Sequence, residues 1–558
     1  MSQESADATG LSTGNCGPGS GNDSIFPYRL VFPGDKGVPR GLTSTYYKAF
    51  APRIGLAWSP GWTEGWLARL TGGPGKSSVR AGYGIFYNPI EQLVMAQFSA
   101  EPPFRGSTSL TNTLFNLPFE AQSGGAPFPN VFGGVINQTP KTPCPSDVAG
   151  GPAGCVDWSQ FRPILLAGEF QPHLRTQYSE QYNLTIERQL TKDMLLRVAY
   201  VGTQAHHLLA IHDLNPGNAQ TCLDLQAVSE FYATSNPGLS ATYACGPFGS
   251  DNAYSLPAGS LPTGFTLHLP YGSTPSVAGG PGSPAITLVG LRPFSSPICQ
   301  PTTGVGCPPD GVEVFSNIFA EDTIANSNYN GLQISVERNL SHGLMFQASY
   351  TYSKAIDQGA SFENELNPLN FNATRGLSLV DARNRFVFSP YWELPIPKYD
   401  GVTGKLVNGW AASAIITYQS GFPIRIQTQD DLELESSFFF EDANTPQVTG
   451  RVQFQNPKTN GNFWFASGNI SDPAAGTFGN MPHSLCCEPA ISNTDIALEK
   501  HTAINERWNS EFRAEFYNAW NHTQFANPDG NFSDSTFGQI QKTREDPRVI
   551  QFALKFLF

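Results

Sequence analysis

The sequence predicts an all-β chain, part of an antiparallel transmembrane β-barrel with long outer loops, and three observations carry that expectation. Segments of about ten residues alternate apolar and polar side chains, the pattern of a strand with one oily and one wet face. The connections between these segments alternate short and long, the wiring of a barrel that crosses an outer membrane. No stretch approaches the ~18 consecutive apolar residues of a membrane-crossing helix, which excludes a helical membrane protein and leaves a barrel open.

Composition narrows the class further. The 558 residues would make several ordinary domains or one large barrel. Apolar residues are 40% and charged residues 14%, with 55 Gly and 45 Pro, a balance that suits strands joined by turns and speaks against a helical enzyme. Lys and Arg number 33 against 46 Asp and Glu, a net charge of −13 with no polybasic block, so nucleic acid is not expected as a partner.

Taken in order, strands are expected at Ala51–Trp58 and Val79–Asn88, then at Tyr182–Leu190 and Met194–Gly202 around Thr191 and Lys192. Asn330–Leu340 sets Leu332, Ile334, Val336 and Leu340 against Gln333, Ser335, Glu337 and Asn339. Only Ser341, His342 and Gly343 separate it from Leu344–Tyr352, so the two read as a hairpin. Arg383–Leu394, Trp410–Gln419 and the weaker Thr494–Ile504 follow. From Arg507 onward Trp508, Phe512, Ala514, Phe516 and Trp520 share one face, and in Val549–Phe558 the apolar face is Ile550, Phe552, Leu554, Phe556 and Phe558.

These eleven strands are joined by short links after Trp58, Leu190, Leu340, Leu394 and Ile504. Long Gly/Pro/Asn-rich loops are expected from Pro89, Thr203, Gln358, Ser420 and His522, covering about 89–178, 203–327, 358–382, 420–493 and 522–548. Trp58, Trp392, Trp410, Trp508 and Phe558 fall at strand ends beside the short links, where an interfacial aromatic girdle lies. If the last strand ends on the short-turn side, the first runs the same way. A closed barrel with both ends there needs an even number of strands, so eleven predicts an odd number of further strands; the plugged transporters have 22. Residues 1–50 read as a polar outer-loop remnant, and Met1–Asn22 has no basic and apolar leader, so the reading expects a fragment or a misplaced start.

Nine cysteines, eight of them in neighbouring pairs within Gly/Pro-rich segments, fit local loop closures in an oxidising compartment or free loop thiols. Adjacent Cys486 and Cys487 could bridge each other or pair elsewhere. No CxxC occurs, and no zinc site is expected.

A series of phrases resembles the C-terminal half of an Oar-like TonB-dependent receptor. They include APRIGLAWSP (Ala51–Pro60), VRAGYGIFYN (Val79–Asn88), QYNLTIERQL (Gln181–Leu190) and VAYVGTQAHHL (Val198–Leu208). YNGLQISVERNLSHGLMFQASYTYSKAID (Tyr329–Asp357), RGLSLVDARNRFVFS (Arg375–Ser389) and NGWAASAIITYQSGFP (Asn408–Pro423) continue the order. FRAEFYNAWNHTQFANP (Phe512–Pro528) and FGQIQKTREDPRVIQFALKFLF (Phe537–Phe558) complete it. The resemblance implies that residues 51–558 are the C-terminal part of a receptor barrel in the cell outer membrane. It further implies import of a scarce solute, a siderophore, glycan or peptide, with TonB acting through a plug that is not recognisable before Ala51. The implied partners are outer-membrane lipid, TonB and the barrel-assembly machinery, for which a closing Phe558 resembles the insertion signal.

Polar candidates facing the barrel lumen are Glu187, Arg197, Glu337, Glu511, Arg513, Glu515 and Lys555, which structural pairing explains more readily than ligand binding. No catalytic, cofactor or metal residue is assigned. His206, His207 and His212 suggest a metal only by proximity in sequence, and the acidic run Asp430, Asp431, Glu433, Glu435, Glu441 and Asp442 lacks an EF-hand's spacing. Glu511 and Glu515 flank Arg513, which suits a salt ladder better than a glycosidase pair, so no enzyme is expected. The alternative is a secreted soluble β-rich binding or adhesion module, which would pack its apolar faces in a dry core.

Overall fold

The computed structural model describes residues 39, 41, 43–89, 167–170, 174–235, 252–269, 277–283, 285–293, 298–299, 315–359, 366–428, 434, 445–482 and 484–558. Its centre is one antiparallel meander of eleven strands, each hydrogen-bonded to the next along the chain. They are β1 (Arg53–Trp58), β2 (Ser77–Asn88), β3 (Gln177–Gln189), β4 (Met194–Asp213), β5 (Ile318–Ser341), β6 (Leu344–Asp357), β7 (Asn384–Glu393), β8 (Trp410–Gln419), β9 (Ile491–Ala503), β10 (Asn509–Tyr517) and β11 (Val549–Leu557). β1 and β11 are the two edges of this open wall.

Register converts the alternating sequence into two faces, because cross-strand partners point the same way. Leu332 lies opposite Tyr352, Ile334 opposite Tyr350 and Val336 opposite Ala348, while Gln333, Ser335 and Glu337 meet Thr351, Ser349 and Gln347. The apolar set continues through Phe386 and Phe388 of β7, Ile416 and Tyr418 of β8, and Phe512 and Phe516 of β10 to Ile550, Phe552 and Leu554 of β11. Among the described residues nothing covers this face: Phe552 is 67% and Leu554 61% exposed. Among the described residues no second apolar layer packs against the wall as it would in a sandwich.

The β5–β6 turn shows why a short link suffices on one side. His342 (φ 53°) and Gly343 (φ 74°) both take left-handed backbone, the twist that a tight hairpin demands. Two other short-side links carry short helices of about two turns, α1 (Gly65–Thr71) between β1 and β2 and α3 (Gly401–Val407) between β7 and β8.

Several strands outrun their predicted bounds. β4 continues eleven residues past Gly202, and β5 starts at Ile318 rather than Asn330. The extensions pair with each other from Phe319↔Asp213 to Ser327↔Ala205, through bulges either side of Ala325. The long loop thus leaves after Asp213 and not at Thr203; acidic Glu321 and Asp322 mask the strand pattern in the sequence. At about 3.3 Å per residue, the 24 residues of β5 reach ~80 Å, far beyond a ~25 Å apolar band. Trp520 falls past the end of β10 and is not part of that strand.

The long loops build cores of their own. In the first, Cys222, Leu225 and Val228 of α2 (Ala219–Ser235) pack with Tyr254, Leu256, Leu267, Ile286, Leu288 and Leu291, joined by Leu434 from a different loop. In the second, Ile424, Ile426, Val452, Phe465, Ile470 and Met481 pack with Phe537 from the last loop. Cys486 and Cys487 bridge each other, and Cys222 is also disulfide-bonded.

Candidate functional site: the charged face of the wall

All seven predicted polar candidates fall on the face opposite the apolar one, and they gather in two groups. Glu187 of β3 stands across from Ser78 of β2 and Arg197 of β4. Arg197 Nε donates to Glu187 Oε1 at 2.9 Å, Arg80 Nη2 lies 3.4 Å from Oε2, and Ser78 Oγ donates to Oε2 at 3.3 Å. A polar cavity of about 400 Å³ opens beside them, lined by Lys76, Arg80, Glu187, Lys192 and Glu337 among others.

The second group spans β9 to β11. Arg513 stands across from Glu499, Glu511 across from both His501 and Lys555. Arg513 Nε donates to Glu511 Oε1 at 2.5 Å, with Glu499 Oε1 at 3.8 Å and Glu515 Oε1 at 3.9 Å from its other nitrogens. His501 Nε2 sits 3.6 Å from Glu499 Oε2. The ligand atoms of Glu499, His501 and Glu511 lie within 4.8 Å of one another, so these three could converge on a metal. The Arg513 guanidinium among the same carboxylates opposes a cation there and supports an ion-pair cluster instead.

Exposed ion pairs of this kind contribute only ~0.2–1 kcal/mol each, so the backbone ladder holds the strands and these charges are available to an occupant of the polar face. Together the two groups present both signs of charge to whatever lies against that face. Arg80, Glu499 and His501 are additions that sequence reasoning missed. Their signal is the same alternation, obscured in β9 because Lys500 interrupts the apolar face.

The other candidates disperse. His206 Nδ1 meets Asn326 Oδ1 at 3.1 Å, His207 Nδ1 meets the Thr323 carbonyl at 3.2 Å, and His212 Nε2 lies 3.7 Å from Asp322 Oδ2. Apart from Leu434 between them, the acidic run from Asp430 to Asp442 lies outside the described residues. The five aromatics all stand at the short-turn end: Trp58 against Trp62 with centroids 5.1 Å apart, Trp508 against Phe558 at 5.3 Å, and Trp392 and Trp410 on β7 and β8.

No curated protein matches the sequence. Among solved structures, similarity extends to the outer membrane transporter YddB from Escherichia coli, at 8% identity and TM-score 0.34, covering 86% of this chain and 38% of that one. It extends also to the ferripyoverdine receptor of Pseudomonas aeruginosa (8%, TM-score 0.32, 91% and 32%) and to a mutant of that organism's ferric enterobactin receptor PfeA (9%, 0.33, 91% and 40%). The chain thus spans about two-fifths or less of the length of these structures. A family model described as "Outer membrane beta barrel domain" matches residues 5–551, nearly the whole sequence. With its uncovered apolar face and one-sided long loops, the chain belongs to the outer membrane β-barrel domain family and is a protein of the cell outer membrane.

Proposed function

We propose that the chain forms part of the barrel wall of an Oar-like TonB-dependent receptor that takes up a scarce solute through its outer loops. The observation that carries this reading is the pairing of a charged face, opposite the apolar one, with long loops that hold cores of their own and leave from one side. The ordered phrases from Ala51 to Phe558 add to it. In this reading Glu187, Arg197, Glu337, Glu511, Arg513, Glu515 and Lys555 face the lumen and pair with one another or with a plug. Residues 51–558 form the C-terminal part of the barrel, and Phe558 presents the insertion signal to the assembly machinery. The solute is a siderophore, glycan or peptide, and TonB acts through the plug.

Two experiments test it. In intact cells, a protease that cannot cross the outer membrane is expected to cut the segments after Asp213, Gln419 and Tyr517 and to spare the turns at Thr191 and His342; cleavage at those turns reverses the orientation. Entry of solute is expected to stop in cells lacking TonB while surface binding persists. Undiminished entry without TonB overturns the transport reading.

A further inference from the structure

Two short helices in the short-side links expose apolar faces that the wall does not cover. In α1, Trp66 and Leu70 are four residues apart, hence on one side of the helix, and are 72% and 59% exposed. In α3, Val402 and Leu406 repeat the spacing at 76% and 68%. Among the described residues α1 buries none of its own side chains, and α3 buries only Gly404, so neither helix forms in order to fill a core.

Both helices are tied to the apolar side of the wall. Arg188, in register with Ile186 and Leu184 on that face, donates from Nη2 to the Arg69 carbonyl at 3.1 Å. Trp410, which shares the face with Leu498 and Lys500 by register, donates its indole N–H to the Leu406 carbonyl at 3.2 Å. These bonds also satisfy carbonyls at the helix C-termini that lack a partner within the helix. Lys500 turns toward the same rim, its Nζ bonded to the His501 carbonyl at 3.1 Å and Thr502 Oγ1 at 2.7 Å. The remaining short-side links continue the pattern, with exposed Leu190, Leu340 and Ile504.

We propose that α1 and α3 lie in the plane of the membrane interface and insert Trp66, Leu70, Val402 and Leu406 among the acyl chains of the periplasmic leaflet. The occupant is phospholipid because the apolar patches run directly into the lipid-facing wall of an outer-membrane barrel. Arg69 in the last turn of α1 suits anionic headgroups, while Lys405 of α3 donates from Nζ to the Ile504 carbonyl at 2.9 Å and holds α3 to the rim. On each of these helices an i,i+4 apolar pair lies beside a cationic residue, the side-chain makeup of an in-plane amphipathic helix. The proposal rests on the wall's apolar face meeting lipid and adds a second, independent contact to it.

The test is photo-crosslinking in the full chain, folded into vesicles of phosphatidylethanolamine and phosphatidylglycerol. A benzophenone amino acid is placed singly at Trp66, at Val402, at Phe552 as the wall control and at Ser349 on the polar face, and adducts are identified by mass spectrometry. Lipid adducts at Trp66 and Val402 comparable to those at Phe552, with none at Ser349, are expected. Adducts at Phe552 alone, or adducts to protein at Trp66 and Val402, overturn the anchor and leave the wall intact. Absence of lipid at Phe552 as well overturns the lipid-facing wall and the anchor with it.

Discussion

Glu321 is the residue most at odds with its surroundings. It sits on the outer extension of β5, fully buried, and among the described residues neither carboxylate oxygen has a hydrogen-bond partner. Burial pushes its pKa from 4.5 up to about 8. The folded state therefore keeps a proton that the unfolded state releases above 4.5, and stability conferred at low pH is lost as pH rises toward 8, by at most about 1.4 kcal/mol per pH unit. Replacing Glu321 with Met is expected to flatten this dependence and to stabilise the β4–β5 extension at pH 8. Amide hydrogen exchange across Leu208–Asp213, compared at pH 5 and 8, checks it; an unchanged pH dependence means that the carboxyl is not the cause. Glycine has a comparable local role at Gly202, where a β-carbon would overlap the Tyr182 ring. The space lets Tyr182 reach Asn330 Oδ1 at 3.2 Å, which Tyr200 also approaches at 2.7 Å, satisfying a polar side chain on the apolar face.

Among the elements, the outer end of β4 is held by a buried clip. Asp213 Oδ1 accepts from the backbone N–H of Asn215 at 2.7 Å and of Ile318 at 3.0 Å, and Oδ2 accepts from Asn317 Nδ2 at 2.7 Å. Arg292, fully buried, lies 3.3 Å from the same Oδ2 and donates to the Asn215 carbonyl at 2.7 Å. The clip joins both ends of the loop between β4 and β5 to its middle. Removing one member of a buried charge pair typically costs about 3–5 kcal/mol. Arg292→Met is thus expected to loosen the loop while sparing the wall, read as faster proteolysis between Leu214 and Asn317 with unchanged protection of β3. Equal proteolysis of wild type and variant would sink this account. None of the clip is legible in the sequence. Asp213, Arg292 and Asn317 lie far apart in segments whose Gly and Pro content reads only as loop, and α2 hides there because its apolar residues form no stripe along one side of the helix. The wall was legible, because period-two alternation is a local signal: β8 matches its predicted bounds and most other strands shift by a few residues. For the candidate site, each lumen candidate stood in an alternating strand, whereas Arg80 and His501 became visible only once register set them beside Glu187 and Glu511.

Over the molecule as a whole, the direction of the edge strands matters most. β1 and β11 both run toward the short-turn side, and every neighbouring pair along the wall is antiparallel. Pairing β11 of one copy with β1 of another would be parallel, so a second copy does not complete this pattern, and closure takes an odd number of further strands. In a sample of this chain alone, amides of Arg53–Trp58 and Val549–Leu557 are expected to exchange faster than those of β3. Equal protection at both edges and at β3 would show that the sheet closes by itself. The second loop core has a different reach. Phe537 and Phe532 lie on the segment after β10, while their partners Phe465 and Ile424 lie on the segment after β8, and Arg544 Nη2 binds Glu488 Oε2 at 2.8 Å across the same divide. Two stretches separated by β9 and β10 therefore fold as one body. Recombination that exchanges either stretch alone would strand half a core, so the two loops pass to a new barrel together or not at all.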